Sequence, residues 1–299
     1  MSVTISPLND GCRSSIKLSS PVPGQATERI LNQHLFATAK HCLMLNGATS
    51  KVVESRQMAA LWLDGVLEVI RGGAAESIIE AGRPAKPVLV PPRKLPKRSL
   101  HTPSGHAALI HAIAHIEFNA INLAWDAVYR FRDMPRQFYD DWIRVADEEA
   151  YHFQLVRDHL NNLGYDYGDF DAHNGLWEMA VKTAHDPLVR MALVPRVLEA
   201  RGLDVTPGIM DRLRNAGDDA AVAVLEIILR DEVGHVEIGT RWFHFLCEQR
   251  GLEPEATFRG LLKQYMKGSN PIGKGPLHRS ARLAAGFTKE ELDYLEGIG

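Results

Sequence analysis

The chain has 299 residues, 24% of them charged and 45% in the apolar set, as expected of a globular protein with one large core or two modest ones. No apolar run reaches roughly 18 residues, so no transmembrane helix is expected; Met1 to Ser20 lacks the apolar centre of a secretory signal. Cys12, Cys42 and Cys247 lie far apart with no CxxC pair, which disfavours a disulfide framework, a zinc ribbon or a rubredoxin-type iron site and leaves a reducing cytoplasm as the expected compartment.

Residues 1–25, with Pro7, Pro21 and Pro23, read as extended or disordered. Residues 26–82 read as a helical pair packing on the rest of the chain. Its first helix runs from Thr27 to about Gly47, with Leu31, Leu35, Ala39 and Leu43 on one face. Its second runs from about Ser50 to Arg71, stopped by Gly72-Gly73. Residues 83–103 hold Pro84, Pro87, Pro91, Pro92, Pro96 and Pro103, a density that no long helix survives, and read as a basic strap.

Residues 104–250 carry the long helical patterns. The first spans about Ser104 to Arg132, broken by Asp133-Met134-Pro135, and the second about Arg136 to Leu163, stopped by Gly164. A crossover follows, with a short helix at about Leu176 to Ala184. Pro187 opens a third helix to about Leu203, kinked at Pro195. Thr206-Pro207-Gly208 starts a brief segment, and Gly217-Asp218 supplies a stop and a cap. The last long helix spans about Asp219 to Arg250. Residues 251–299 read as a basic cap, with Thr288 opening a final helix. No strand alternation of useful length appears, so the fold class is all-α: a four-helix bundle with additional N-terminal helices and a C-terminal helix/loop cap.

The net charge of −3 hides an asymmetry. The stretches 81–116 and 256–289 contain no acid and carry +6 and +7, leaving −16 elsewhere. They read either as solvated surfaces or as a rim attracting a polyanion.

Carboxylates stand where a core belongs. Glu117 lies in the stripe of Ile110, Ile113, Ala114, Ile121 and Ala124. Glu149 and His152 lie among Trp142, Val145, Ala146, Phe153 and Val156. Glu199 is flanked by Leu188, Met191, Ala192 and Leu203, and Glu232 and His235 by Leu225, Ile228, Leu229 and Val236. An ionised carboxylate in such a place costs several kcal/mol unless it is paired or metal-bound. Glu149-x-x-His152 and Glu232-x-x-His235 each set a carboxylate and an imidazole one helical turn apart. Glu117 precedes Glu149 by 32 residues, and Glu199 precedes Glu232 by 33. The two midpoints fall at Asp133 and beside Gly217, so in antiparallel hairpins each Glu faces its ExxH partner at the same height.

Glu, ExxH, Glu, ExxH on four helices resembles the ligand pattern of the ferritin-like di-iron carboxylate proteins. The resemblance implies Glu117, Glu149, His152, Glu199, Glu232 and His235 as metal ligands. More narrowly, the segments HAIAHIEFNAINLAWDA, DEEAYHF, LEARGLDVTPG, RDEVGHVEIG and GPLHRSARLAAGF are similar to the bacterial ferritin-like family catalogued as domain of unknown function 455, which resembles the tRNA-modifying di-iron hydroxylases. Four carboxylates and two neutral imidazoles balance two divalent cations, and this donor set suits iron, manganese or zinc. The function this implies is a di-iron oxygenase or hydroxylase using O2 and an external electron donor, a reductase partner, since no GxGxxG or CxxC element is present. A nucleotide or tRNA substrate is the first expectation. No membrane association is expected, and a monomer or small homo-oligomer is. A manganese catalase or peroxidase-like enzyme and a non-catalytic iron-binding protein are the alternatives. Glu148 and Asp231, each four residues before a histidine of its own helix, are candidates to orient an imidazole N–H. His111 and His115 read as packing residues, His173 and His185 as non-ligands, Glu226 and Glu237 as surface, and Tyr151, Trp125, Trp177 and Trp242 as core.

Overall fold

The computed structural model describes residues 34–96, 98–267 and 275–297, and among them the regular secondary structure is entirely helical, with only isolated bridges of extended chain. The predicted first helix appears as α1 (Leu35–Met44), burying Leu35, Ala39 and Leu43; Leu31 and the stretch 27–33 lie outside the described residues, as does the N-terminal segment 1–25. The second, α2 (Ala48–Leu63), is shorter than its sequence pattern. It closes on Asp64 and on Gly65 with φ of 72°, well before Gly72-Gly73, because only a glycine enters that left-handed turn without strain. Lys51 of α2 is buried, donating to the carbonyls of Cys42 and Leu43 and to Asn122 Oδ1. Burial pulls its ammonium down to about 7.

The proline-rich strap pairs with the crossover. Val90 N–H donates to the Ala172 carbonyl and Ala172 N–H to that of Val88. Among its described residues, one 3-10 turn, Pro92–Lys94, is the helical element. Thr102 then caps α3 (Pro103–Arg130) by accepting the Gly105 N–H at 3.1 Å, with Pro103 in the first turn, where a missing N–H costs nothing. By length and composition α3 could cross a membrane, but 78% of its apolar window is buried inside the protein, as in a core helix.

Chain order continues through α4 (Arg136–Asn162), α5 (Gly175–Lys182) and α6 (Pro187–Leu193), then a single π-helical stretch, Val194–Glu199, and α7 (Ala200–Asn215). The expected kink at Pro195 is thus a π segment: its ring and missing N–H disrupt the i to i−4 ladder, and the chain widens instead of bending sharply. The brief segment expected at Thr206-Pro207-Gly208 does not form. Helix α7 runs through Pro207 because burial of Leu203, Met210 and Leu213 outweighs one lost backbone bond. Asp218 caps α8 (Asp219–Gln249). Helices α9 (Pro254–Tyr265), α10 (Arg279–Ala284) and α11 (Lys289–Gly297) complete the described chain. Thr288 and Glu291 form a reciprocal cap at the start of α11.

Helix α3 packs on α4, α4 on α8, and α8 on α6, the π segment and α7; α1 lies on α3 and α2 on α4. Two buried ion pairs tie the outer pieces to this core. Arg190 of α6 bonds Asp126 of α3 at 2.6 Å, and Arg130 grips the same carboxylate. Arg196 of the π segment bonds Glu291 of α11 at 2.6 Å and stacks against Phe243, Phe258 and Phe287.

Candidate metal centre

Glu117 on α3 and Glu149 and His152 on α4 are buried, as is His235 on α8; Glu199 and Glu232 are partly covered. The i, i+3 spacing on α4 and α8 turns each imidazole toward the carboxylate of its own motif. His152 Nδ1 lies 3.4 Å from Glu149 Oε2, and His235 Nδ1 lies 3.7 Å from Glu232 Oε1. Contacts between helices close the cluster. His152 Nδ1 is 3.5 Å from Glu117 Oε2, and His235 Nδ1 is 3.0 Å from Glu149 Oε1. Glu149 therefore spans the centre, one oxygen toward each histidine, and the two rings lie 5.8 Å apart.

None of these contacts is a well-formed hydrogen bond. Glu117 Oε2, Glu149 Oε2, His152 Nδ1, Glu199 Oε2, Glu232 Oε2 and His235 Nδ1 are all sealed from solvent without a hydrogen-bond partner. Such orphans are costly and rare in protein interiors. Here the six expected ligands each present one, and ligand atoms of Glu117, Glu149, His152 and Glu232 lie within 4.8 Å of one another. Glu199 falls outside that tighter group. It sits at the far side, at the end of the π segment, where it feels the charges of Glu232, Glu149, His235 and Arg190. Six unpaired donor atoms facing inward fit a pair of cations.

The outer nitrogens reveal a correction. Glu148 and Asp231 do not serve the histidines of their own helices. His235 Nε2 bonds Glu148 Oε2 at 2.7 Å, and His152 Nε2 bonds Asp231 Oδ2 at 3.1 Å, so the braces cross between α4 and α8. The helices lie side by side, and each acidic side chain, one residue before its motif, leans over the seam to the neighbouring imidazole. Arg230 extends one brace to the surface by donating to both oxygens of Asp231.

Electrostatics report the same deficit of positive charge. Burial and the neighbouring Glu149 push Glu117 up to about 8, and burial raises Glu199 and Glu232 as well. Burial works against a charged His152, but Glu117 and Glu149 outweigh it and raise the imidazole to about 11; His235 is raised well above its ordinary value in the same way. Burial opposes ionisation of Glu149 too, yet the two imidazoles hold it below the usual carboxylate range.

The remaining candidates stand apart. His111 accepts the Gly168 N–H, and His115 bonds the Tyr167 hydroxyl and the His173 carbonyl. His185 Nε2 lies 3.2 Å from the Tyr265 hydroxyl. Glu226 is exposed, and Glu237 is half-buried beside Arg241. Trp125, Trp177 and Trp242 are buried, donating to Ser55, the Ile79 carbonyl and Asp141. Tyr151, expected in the core, is 38% exposed beneath the Arg56 guanidinium, because α4 turns that side outward between the metal-facing and α2-facing stripes. One position escaped the sequence reading. A Cβ on Gly239 would lie 2.3 Å from Cβ and Cγ of Pro195, so the bare backbone one turn after His235 admits the π segment that carries Glu199. The only sequence signal was a glycine inside a long helix.

Comparison with known proteins follows this geometry. The profile of the family described as "Protein of unknown function (DUF455)" matches residues 45–293. An "Uncharacterized protein" of Haemophilus influenzae is 54% identical over 222 residues, covering 72% of this chain and 76% of the relative. No solved structure matches the chain.

Proposed function

Since the chain belongs to the DUF455 family, we propose that its members share a carboxylate-bridged di-metal centre and that this protein is a di-iron oxygenase or hydroxylase on a ferritin-like four-helix bundle. The observation that carries the reading is the set of six inward-facing donor atoms without partners, one on each of Glu117, Glu149, His152, Glu199, Glu232 and His235. When bound, a ferrous pair supplies electrons and open coordination positions to O2. The chain supplies the rest. Glu117, Glu149, His152, Glu199, Glu232 and His235 would hold the pair, with Glu149 standing between the two histidines. Asp231 and Glu148 each accept the outer N–H of an imidazole, which fixes Nδ1 as the inward donor. Ile113, Ile121, Phe153 and Ile228, neighbours on the same stripes, keep bulk water from the centre.

A carboxylate and imidazole donor set without thiolate supports iron or manganese over an iron–sulfur cluster. Electrons would come from a separate reductase. The exposed cations Lys86, Arg93, Lys94 and Arg98 support a polyanionic substrate such as a nucleotide or tRNA. The test is an anaerobic Fe2+ titration followed by exposure to O2. Two ions per chain and a near-ultraviolet absorption after oxidation are expected, and Glu199→Ala should lose at least one ion. A chain that binds no metal, or an unchanged stoichiometry in that variant, would sink the reading. Manganese retained from defined medium, with peroxide turnover, would favour the catalase-like alternative.

A further inference from the structure

Three helix ends meet away from the di-metal centre. His106 stands in the first turn of α3, His159 in the last turn of α4, and Asp218 caps α8. One ligand atom from each lies within 4.8 Å of the others. Asp218 Oδ1 does the capping, accepting the Ala221 N–H at 2.9 Å. Oδ2 is free of that duty, and both imidazoles aim at it: His106 Nε2 at 2.6 Å and His159 Nε2 at 2.8 Å. Both contacts are shorter than the ~2.9–3.0 Å typical of an N–H···O bond. The three side chains are only 10–15% exposed.

The cluster is separate from the first centre. His159 lies two helical turns beyond His152 on α4. Ile110, Ile113, Val156, Ala221 and Leu225, which fall between the two centres along α3, α4 and α8, line a small apolar cavity beside His159.

The geometry points to a second metal site, a mononuclear divalent-cation site of the zinc class held by His106, His159 and Asp218. Two imidazoles and one carboxylate form a borderline donor set that suits zinc over magnesium or calcium. Three protein ligands leave the fourth tetrahedral position to water. Metal–ligand distances of about 2.0–2.2 Å place tetrahedral ligand atoms roughly 3.4 Å apart, so each imidazole has to draw back from Asp218 Oδ2 by less than ~1 Å. The cation would lie at the carbonyl end of α4, which favours positive charge, while Asp218 offsets the opposite end of α8. Its effect is to pin the starts of α3 and α8 to the end of α4.

The test counts ions. The full chain, stripped of metal, is dialysed against Zn2+ and analysed, and the visible spectrum of its Co2+ form is recorded. Wild type should bind three ions. His106→Gln and His159→Gln, which keep a hydrogen bond to Asp218, should each bind two, with the third weakened by about 100-fold or more and the four-coordinate cobalt bands lost. Glu149→Gln/Glu232→Gln should retain one ion. Equal ion counts and unchanged cobalt bands in wild type and both histidine variants would overturn this site while leaving the di-metal reading intact. A single ion in wild type, abolished by His159→Gln, would establish this site and remove the di-metal reading.

Discussion

His152 and His235 each carry two duties on one ring, an inner nitrogen facing carboxylates and an outer nitrogen held by an acid from the opposite helix. The crossing makes a specific prediction. Glu148→Gln should weaken metal binding by about 10–100-fold through His235. The loss should therefore persist in a His152→Ala background and vanish in His235→Ala; Asp231→Asn should show the reverse pattern. Metal affinities across this double-mutant set check it, and an effect that follows the histidine on the same helix would restore the i, i+4 arrangement. The protons on the centre give a second prediction. Glu117, raised to about 8, and His152, raised to about 11, hold protons at neutral pH, so each entering cation must displace them. Binding should weaken as the pH falls, and calorimetry in buffers of different ionisation enthalpy should detect released protons. A buffer-independent heat would contradict this.

The π segment concentrates several constraints in six residues. It carries Glu199, packs Pro195 against the bare backbone of Gly239, and anchors Arg196 among three aromatic rings. Gly239→Ala drives a methyl into a proline ring that cannot rotate away. A cost of about 1–3 kcal/mol in unfolding free energy is expected, with selective loss of the ion nearest Glu199 and His235. Pro195→Gly should relieve both effects, as read by denaturant midpoint and metal count; a Gly239→Ala protein that keeps two ions would separate the segment from the site. Long helices with a carboxylate inside an apolar stripe were readable from spacing alone, because α3, α4 and α8 bury one face over many turns and the periodicity repeats. Equidistance from Asp133 and Gly217 was readable for the same reason, since a hairpin fixes height. The crossed braces were not, because they depend on how one hairpin sits against the other, which no spacing within a helix encodes. Nor was the π stretch: a proline in a helical pattern signals disruption without saying what form it takes. Pro207 misled in the opposite direction, since the burial that carries α7 past it is tertiary.

Across the whole molecule, the strap and crossover shield one flank of α3 with His111 and His115 beneath them. Burial lowers both imidazoles to about 4. Between that value and the ordinary 6.5 the unfolded chain binds more protons than the folded one, so stability is full above that window and declines as the pH falls through it. His115→Gln should therefore reduce the gain in denaturant midpoint between pH 5 and pH 7 relative to wild type, and an unchanged pH profile in that variant would refute the assignment. The anchoring of α11 reaches further. Arg196, buried without Glu291, would be an unpaired interior charge, a fault worth roughly 3–5 kcal/mol. Its partner stands on α11, 95 residues further along the chain. The platform under Glu199 therefore depends on a docking partner far downstream, and a break in the chain before Glu291 should loosen that carboxylate from a distance.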